Sequence, residues 1–205
     1  MKNIYKLFKI TLKSFQKYGL MSGIQLLWIA YKAILHRSKF ISKRPLRFLS
    51  FEVNAPNPRL LLALINEIFI SEEYFYALSH VKKNNPLIID AGANIGVSLL
   101  YWKKNFINPR ILAFEPAKNL VEILKMNISK NYINAQVEDV ALGYHEGSVK
   151  FFIDNNHLTT GSTNEKRGGG GGIMKLNNAS FQTLFVNTMI LIWLKWILKV
   201  RSQVS

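Results

Sequence analysis

Residues 86–89 are a short apolar run that meets Asp90 and a turn bracketed by Gly92 and Gly96, after which residues 97–106, VSLLYWKKNF, carry a helical pattern. A strand that passes through glycines directly into a helix cannot be one arm of a tight hairpin. A next strand reached through a helical crossover is expected to lie parallel to the first. The same order repeats downstream. Residues 110–114 form a second apolar run that ends in Glu115 and Pro116, and a helix comes next with Leu120, Ile123 and Leu124 on one face. A third strand is expected over residues 135–142, with Asp139 near its end, and a further short strand over 149–153, reached through Gly147. Alternating strand and helix predicts an α/β fold built on a parallel sheet, with ligands at the carboxyl ends of its first strands.

Asp90, Gly96, Glu115 and Asp139 all map to that end of the sheet. The glycines let backbone approach a ligand and present N–H groups at a helix start, and an acid ending the second strand can accept both hydroxyls of a ribose. A nucleoside-bearing cofactor is therefore expected. A nicotinamide dinucleotide asks for G-x-G-x-x-G, so that a pyrophosphate can sit on the helix N-terminus. Here the loop reads DAGANIG, with Asn94 in place of the middle glycine and an acid at the strand end. An acid suits a cationic partner, and S-adenosylmethionine carries an amino group and a sulfonium but no phosphate. The competing reading makes Gly92 and Gly96 a tight strand-to-helix turn and Asp90 a helix cap.

Three stretches carry a resemblance to a known family. LIIDAGANIGVSLLYWKKNF, ILAFEPAKNLVEILKMNISKN and VEDVALGYHEGSVKFFI, preceded by the lead-in INEIFISEEYFYAL, resemble the FkbM-type class I S-adenosylmethionine-dependent methyltransferases over about residues 60–155. The resemblance implies a seven-stranded Rossmann-like domain that transfers a methyl group, often to a hydroxyl of a sugar or small natural product. Asp90, Gly92, Asn94 and Gly96 match the family's cofactor loop and Glu115 its ribose acid, while Asp139 and Val140 fall where adenine is contacted. No residue is assigned as catalytic base. The acceptor, a small molecule or glycan, is not legible, because acceptor-binding residues of the family lie further along the chain.

Charge divides the chain into three segments. Residues 1–50 hold 11 Lys plus Arg and no acid, residues 51–165 hold 10 basic and 12 acidic residues, and residues 166–205 hold six basic residues and no carboxylate, which together make the net +15. The first segment is expected to be helical. Lys2, Lys6, Lys9, Lys13 and Lys17 form one stripe and Ile4, Leu7, Phe8, Leu12 and Phe15 another. Residues 24–35 are apolar but interrupted by Gln25 and Lys32, too short to span a bilayer. Two uses remain open for this segment: docking on an anionic membrane surface or membrane-bound enzyme, and packing on the domain with a solvated lysine face. No small-residue cleavage site comes after it, so a cytoplasmic protein, peripheral at the membrane face at most, is expected. Nucleic acid is not an expected partner, since no base-reading module accompanies the basic residues. The absence of cysteine excludes disulfides, thiolate metal sites and a cysteine nucleophile, and the four histidines lack metal-ligand spacing.

The third segment departs from the family. From Arg167 the chain reads RGGGGGIMKL, where the family continues with another parallel strand and an acidic DxEGAE-type motif. Five glycines imply a tract of GGN codons, on which a polymerase can slip. In the shifted frame Met189–Ile190 and Trp196–Ile197 must both read Asp whatever synonymous codons are used, and the codons of residues 193–202 can read VKMDIEGAE. Residues 173–205 are accordingly expected to be out-of-frame sequence that truncates the enzyme. The sheet is then expected to be incomplete on its C-terminal side, lacking a central neighbour, with one edge of an apolar strand unpaired. The alternative is a non-enzymatic membrane-associated protein, held by the basic N-terminal helix and by a hydrophobic helix over residues 185–200.

Overall fold

The computed structural model describes residues 2–35, 44–71, 85–143, 147–153, 161–162, 173–180 and 190–194, together with Tyr74, Phe75, Leu78 and Val81. Its elements run α1 (Lys2–Tyr18), α2 (Leu20–Leu35), β1 (Leu46–Phe48), β2 (Phe51–Val53), α3 (Pro58–Ile65) with a π-helical turn over Asn66–Ile70, β3 (Leu87–Ala91), α4 (Val97–Asn105), β4 (Arg110–Phe114), α5 (Lys118–Lys130), β5 (Ala135–Glu138), β6 (Ala141–Gly143), β7 (Gly147–Ile153), β8 (Gly161–Ser162), β9 (Ile173–Ser180) and β10 (Ile190–Leu194). The main sheet has the order β10-β3-β4-β5 with all strands parallel, and helical crossovers α4 and α5 join β3 to β4 and β4 to β5. This is a mixed α/β arrangement compatible with part of a Rossmann-like fold.

Two expectations about the sheet are corrected. The third strand does not run unbroken over residues 135–142: β5 ends at Glu138, the chain bends at Asp139 and Val140, and β6 pairs instead with β9 in a second sheet of order β6-β9-β7-β8. The outer edge of β3 is not unpaired either. Ile190–Leu194 lies parallel to it, Ile190 beside Leu87 and Leu194 beside Ala91, so the expected hydrophobic helix over residues 185–200 is interrupted by a strand. The sequence ILIWL explains this, since a run rich in β-branched and aromatic residues fits a parallel strand, whose two faces both call for apolar side chains. The remainder of that predicted helix lies outside the described residues.

The layer on which the sheet rests is built from the front of the chain. Asn57 caps α3, its Oδ1 accepting the Leu60 N–H at 2.8 Å, and Pro58 occupies the first turn, where its missing N–H costs nothing. α4 buries Val97 through Trp102 without interruption, which a helix does only when covered on more than one side. A ladder of aromatic edges then ties the front helices to the site scaffold: Tyr18 meets Phe48 at 6.4 Å, Phe48 meets Phe69 at 5.3 Å, and Phe69 meets Tyr101 of α4 at 5.3 Å. The carbonyl of Phe69 in the π turn receives both the Lys17 ammonium (2.8 Å) and the Tyr18 hydroxyl (2.9 Å). Leu49, at φ 54 in the β1–β2 turn, is held there by the Gln25 amide, which bonds both its N–H (2.7 Å) and its carbonyl (3.1 Å).

A polar clamp links this layer to the sheet. Asn127 is buried in α5. Its Oδ1 accepts the backbone N–H of Asn54 (2.7 Å), and its Nδ2 donates to the carbonyls of Asn54 (2.9 Å) and Ile95 (2.7 Å). One turn on, Asn131 bonds the N–H and carbonyl of Glu52 at 3.0 and 2.8 Å. The Lys103 ammonium reaches the carbonyls of Asn131 and Tyr132, both at 2.7 Å, where the exposed carbonyls at the end of α5 favour a cation. Beside it the Arg47 guanidinium, bonded to Glu52 at 2.8 Å, holds that carboxyl below the ordinary glutamate range.

Candidate functional site

Asp90 is the fourth residue of β3 and is fully buried. Past Ala91 the chain leaves the sheet through Gly92 (φ +87), Asn94 (φ 54) and Gly96 (φ +85), three left-handed residues in five. Two are glycines because L side chains are strained there, and Asn tolerates the same region better than most. Asn94 also closes a local bond, its Oδ1 accepting the Ile95 N–H at 2.9 Å. Gly96 accepts the N–H of Leu100 at 3.2 Å and so starts α4.

The loop is fastened to the end of β4. Gly92 and Ala93 both donate to the carbonyl of Phe114, at 2.8 and 3.0 Å, and Glu115 takes up the next turn. Its carboxylate is nearly buried: Oε2 accepts the Asn94 N–H at 2.8 Å and Oε1 the Ala117 N–H at 2.9 Å. Two fixed donors orient the group. The N–H of Glu115 in turn donates to the Glu138 carbonyl at 3.1 Å, which ties the ends of β4 and β5. Asp139 and Val140 come directly after, the first exposed and the second half-buried.

Asp90, Gly92, Asn94, Gly96 and Glu115 therefore meet at the carboxyl ends of adjacent strands, and Asp139 and Val140 flank the same end. The two glycines differ in what constrains them. A Cβ on Gly92 would meet nothing within 4 Å, so the backbone there faces open space, as a ligand-approach position requires. A Cβ on Gly96 would lie 2.7 Å from Cδ1 of buried Leu124, so that glycine is needed to let α4 and α5 close. Gly96→Ala is expected to lower unfolding stability by about 3 kcal/mol, combining left-handed strain with overpacking, as read by urea denaturation. The substitution Gly92→Ala should cost only the strain, about 1–2 kcal/mol.

Sequence reasoning missed Asn127, which holds the Ile95 carbonyl and so anchors the loop from behind. Its signal was a pair of asparagines one turn apart, Asn127 and Asn131, in a helix otherwise apolar on that side. Such residues disfavour helix interiors unless their amides are engaged. Among the described residues no group of His, Asp and Glu has a metal-holding arrangement.

No family model matches the chain. It is similar to two fungal proteins named as methyltransferases. Methyltransferase sdnD of Sordaria araneosa is 39% identical over 74 residues, 34% of this chain and 28% of that protein. Methyltransferase 1 of Beauveria bassiana (strain ARSEF 2860) is 34% identical over 84 residues, 40% of this chain and 32% of that protein. The chain thus spans about a third of the length of the curated relatives it matches.

Proposed function

We propose that the chain carries the cofactor half of an S-adenosylmethionine-dependent methyltransferase of the FkbM type, acting on a hydroxyl of a sugar or small natural product. The observation that carries the reading is Glu115: an acid ending the second parallel strand, fixed by two backbone N–H groups against a glycine loop that ends the first. The similarity to two named methyltransferases supports it. When bound, S-adenosylmethionine supplies a methyl group on a cationic sulfonium. Glu115 accepts the ribose hydroxyls. Asp90 receives the amino acid portion, which the open backbone at Gly92 admits. Asp139 and Val140 border the adenine. Rate enhancement in such a site comes mainly from holding the acceptor oxygen in line with the methyl carbon.

Titration calorimetry of the 205-residue chain tests the reading. Heat is expected on adding S-adenosylmethionine or S-adenosylhomocysteine and none on adding NAD, because the loop lacks the glycine pattern for a pyrophosphate. Tight NAD binding with no response to either methionine derivative would overturn it.

A further inference from the structure

α2 is apolar around nearly its whole circumference, but only one side is covered. Leu26, Ile29, Ala30 and Ala33 are buried against the domain. Leu20, Ile24, Leu27, Trp28, Tyr31 and Ile34 recur at helical spacing on the opposite side and stay exposed, Leu20 at 64% and Trp28 at 51%. α1 repeats the arrangement. Ser14 is buried at the contact with α2, while Tyr5, Phe8, Leu12 and Phe15 form an exposed stripe, Phe8 at 63%. The stripes adjoin, since a Cβ on Gly23 would stand 3.3 Å from the Cβ of Phe15. A continuous apolar surface on two packed helices marks an interaction site.

Charge identifies what it meets. Lys9 and Lys13 are exposed on the face of α1 next to the apolar stripe, and Lys32 extends its ammonium 4.8 Å over the ring of Trp28, which stacks on Tyr31. The first 50 residues contain no acid, and the first one, Glu52, is engaged by Arg47 and Lys130. A second copy of so cationic a segment would be repelled. Among the described residues no helix is long and apolar enough to cross a membrane, so the surface lies on its partner and does not span it.

We propose that the outer faces of α1 and α2 dock on an anionic phospholipid bilayer, with Phe8, Leu12, Leu27 and Trp28 entering the boundary between headgroups and acyl chains and Lys9 and Lys13 meeting the phosphates. Aromatic and aliphatic residues on one face with lysines beside them are the pattern of helices that lie in the interface. A shallow groove of about 370 Å³ on this side, lined by Ile24, Trp28, Pro45, Leu46 and Arg47, gives an acyl chain a place to enter.

Vesicle flotation tests this with the full chain. The protein is expected to float with vesicles of equal parts phosphatidylcholine and phosphatidylglycerol and not with phosphatidylcholine alone. The variant Lys9→Gln/Lys13→Gln should partition roughly thirtyfold more weakly, from about 1 kcal/mol per lysine near an anionic surface. Leu27→Gln/Trp28→Gln, which changes only exposed side chains, should abolish flotation with the far-ultraviolet circular dichroism unchanged. Failure to float on anionic vesicles, equal flotation on neutral ones, or a solution dimer that the Leu27→Gln/Trp28→Gln variant dissolves would each overturn the proposal.

Discussion

Replacing Glu115 by alanine is expected to weaken S-adenosylhomocysteine binding by roughly a hundredfold and to cost about 2–4 kcal/mol of stability at once. The two losses share a geometry. The Asn94 and Ala117 N–H groups both point at the carboxylate, so removing it leaves two donors in a nearly buried pocket, each worth about 1–3 kcal/mol unless water enters. The ligand then loses a charged acceptor for its ribose hydroxyls, at about 1.5–3 kcal/mol per hydrogen bond. The variant Glu115→Gln separates shape from charge. Its amide must turn a donor toward either Asn94 or Ala117, so binding should fall almost as far although volume is kept. Urea denaturation and calorimetry together decide the matter. A folded Glu115→Gln protein with undiminished affinity would remove the acid from the cofactor site.

The sequence made this acid visible because everything around it is local. A strand, a turn and a helix lie within a few residues of each other at both Asp90 and Glu115, and the glycines report positive φ directly. The face of α5 was legible for the same reason: Leu120 and Leu124 are buried as their spacing implied, and Ile123 is partly so. The features that stayed hidden depend on contacts distant in the chain. Strands of three residues, as in β1 and β2, are too short to show a period. The Asn54–Asn127 clamp joins residues 73 positions apart and becomes apparent only when α5 lies beside the hairpin. The break after Glu138 reflects the pairing of β6 with β9, which no local pattern announces. Periodicity also marked the apolar stripe of α1 without telling which side faces the domain: Phe8, Leu12 and Phe15 are exposed, whereas Ser14 is buried.

The position of β10 sharpens the last prediction, which rests on the proposed function. Restoring the reading frame within the five-glycine tract is expected to convert a chain that binds the cofactor without turnover into an active methyltransferase. In the present frame Ile190–Leu194 fills the slot beside β3 with five apolar residues, so the sheet gains a neighbour while that strand brings no ionisable group to the site. In the shifted frame the codons from Met189 onward can read DIDLVKMDIEGAE, and the aspartate forced at Trp196–Ile197 comes two residues after Leu194. Leu194 lies beside Ala91, at the end of the sheet that holds Asp90 and Glu115. A carboxylate there could orient an acceptor or take its proton, and such a group is worth about two to four orders of magnitude in rate. The two forms should therefore bind S-adenosylhomocysteine within about tenfold of each other, since the loop and Glu115 are common to both. Only the restored form should release S-adenosylhomocysteine when offered S-adenosylmethionine and a panel of sugar and small-molecule hydroxyls. Sequencing the glycine tract across many clones adds a second readout: two tract lengths in one population would identify a switch. Robust methylation by the 205-residue chain, or a shifted frame that meets an early stop codon, would refute the assignment.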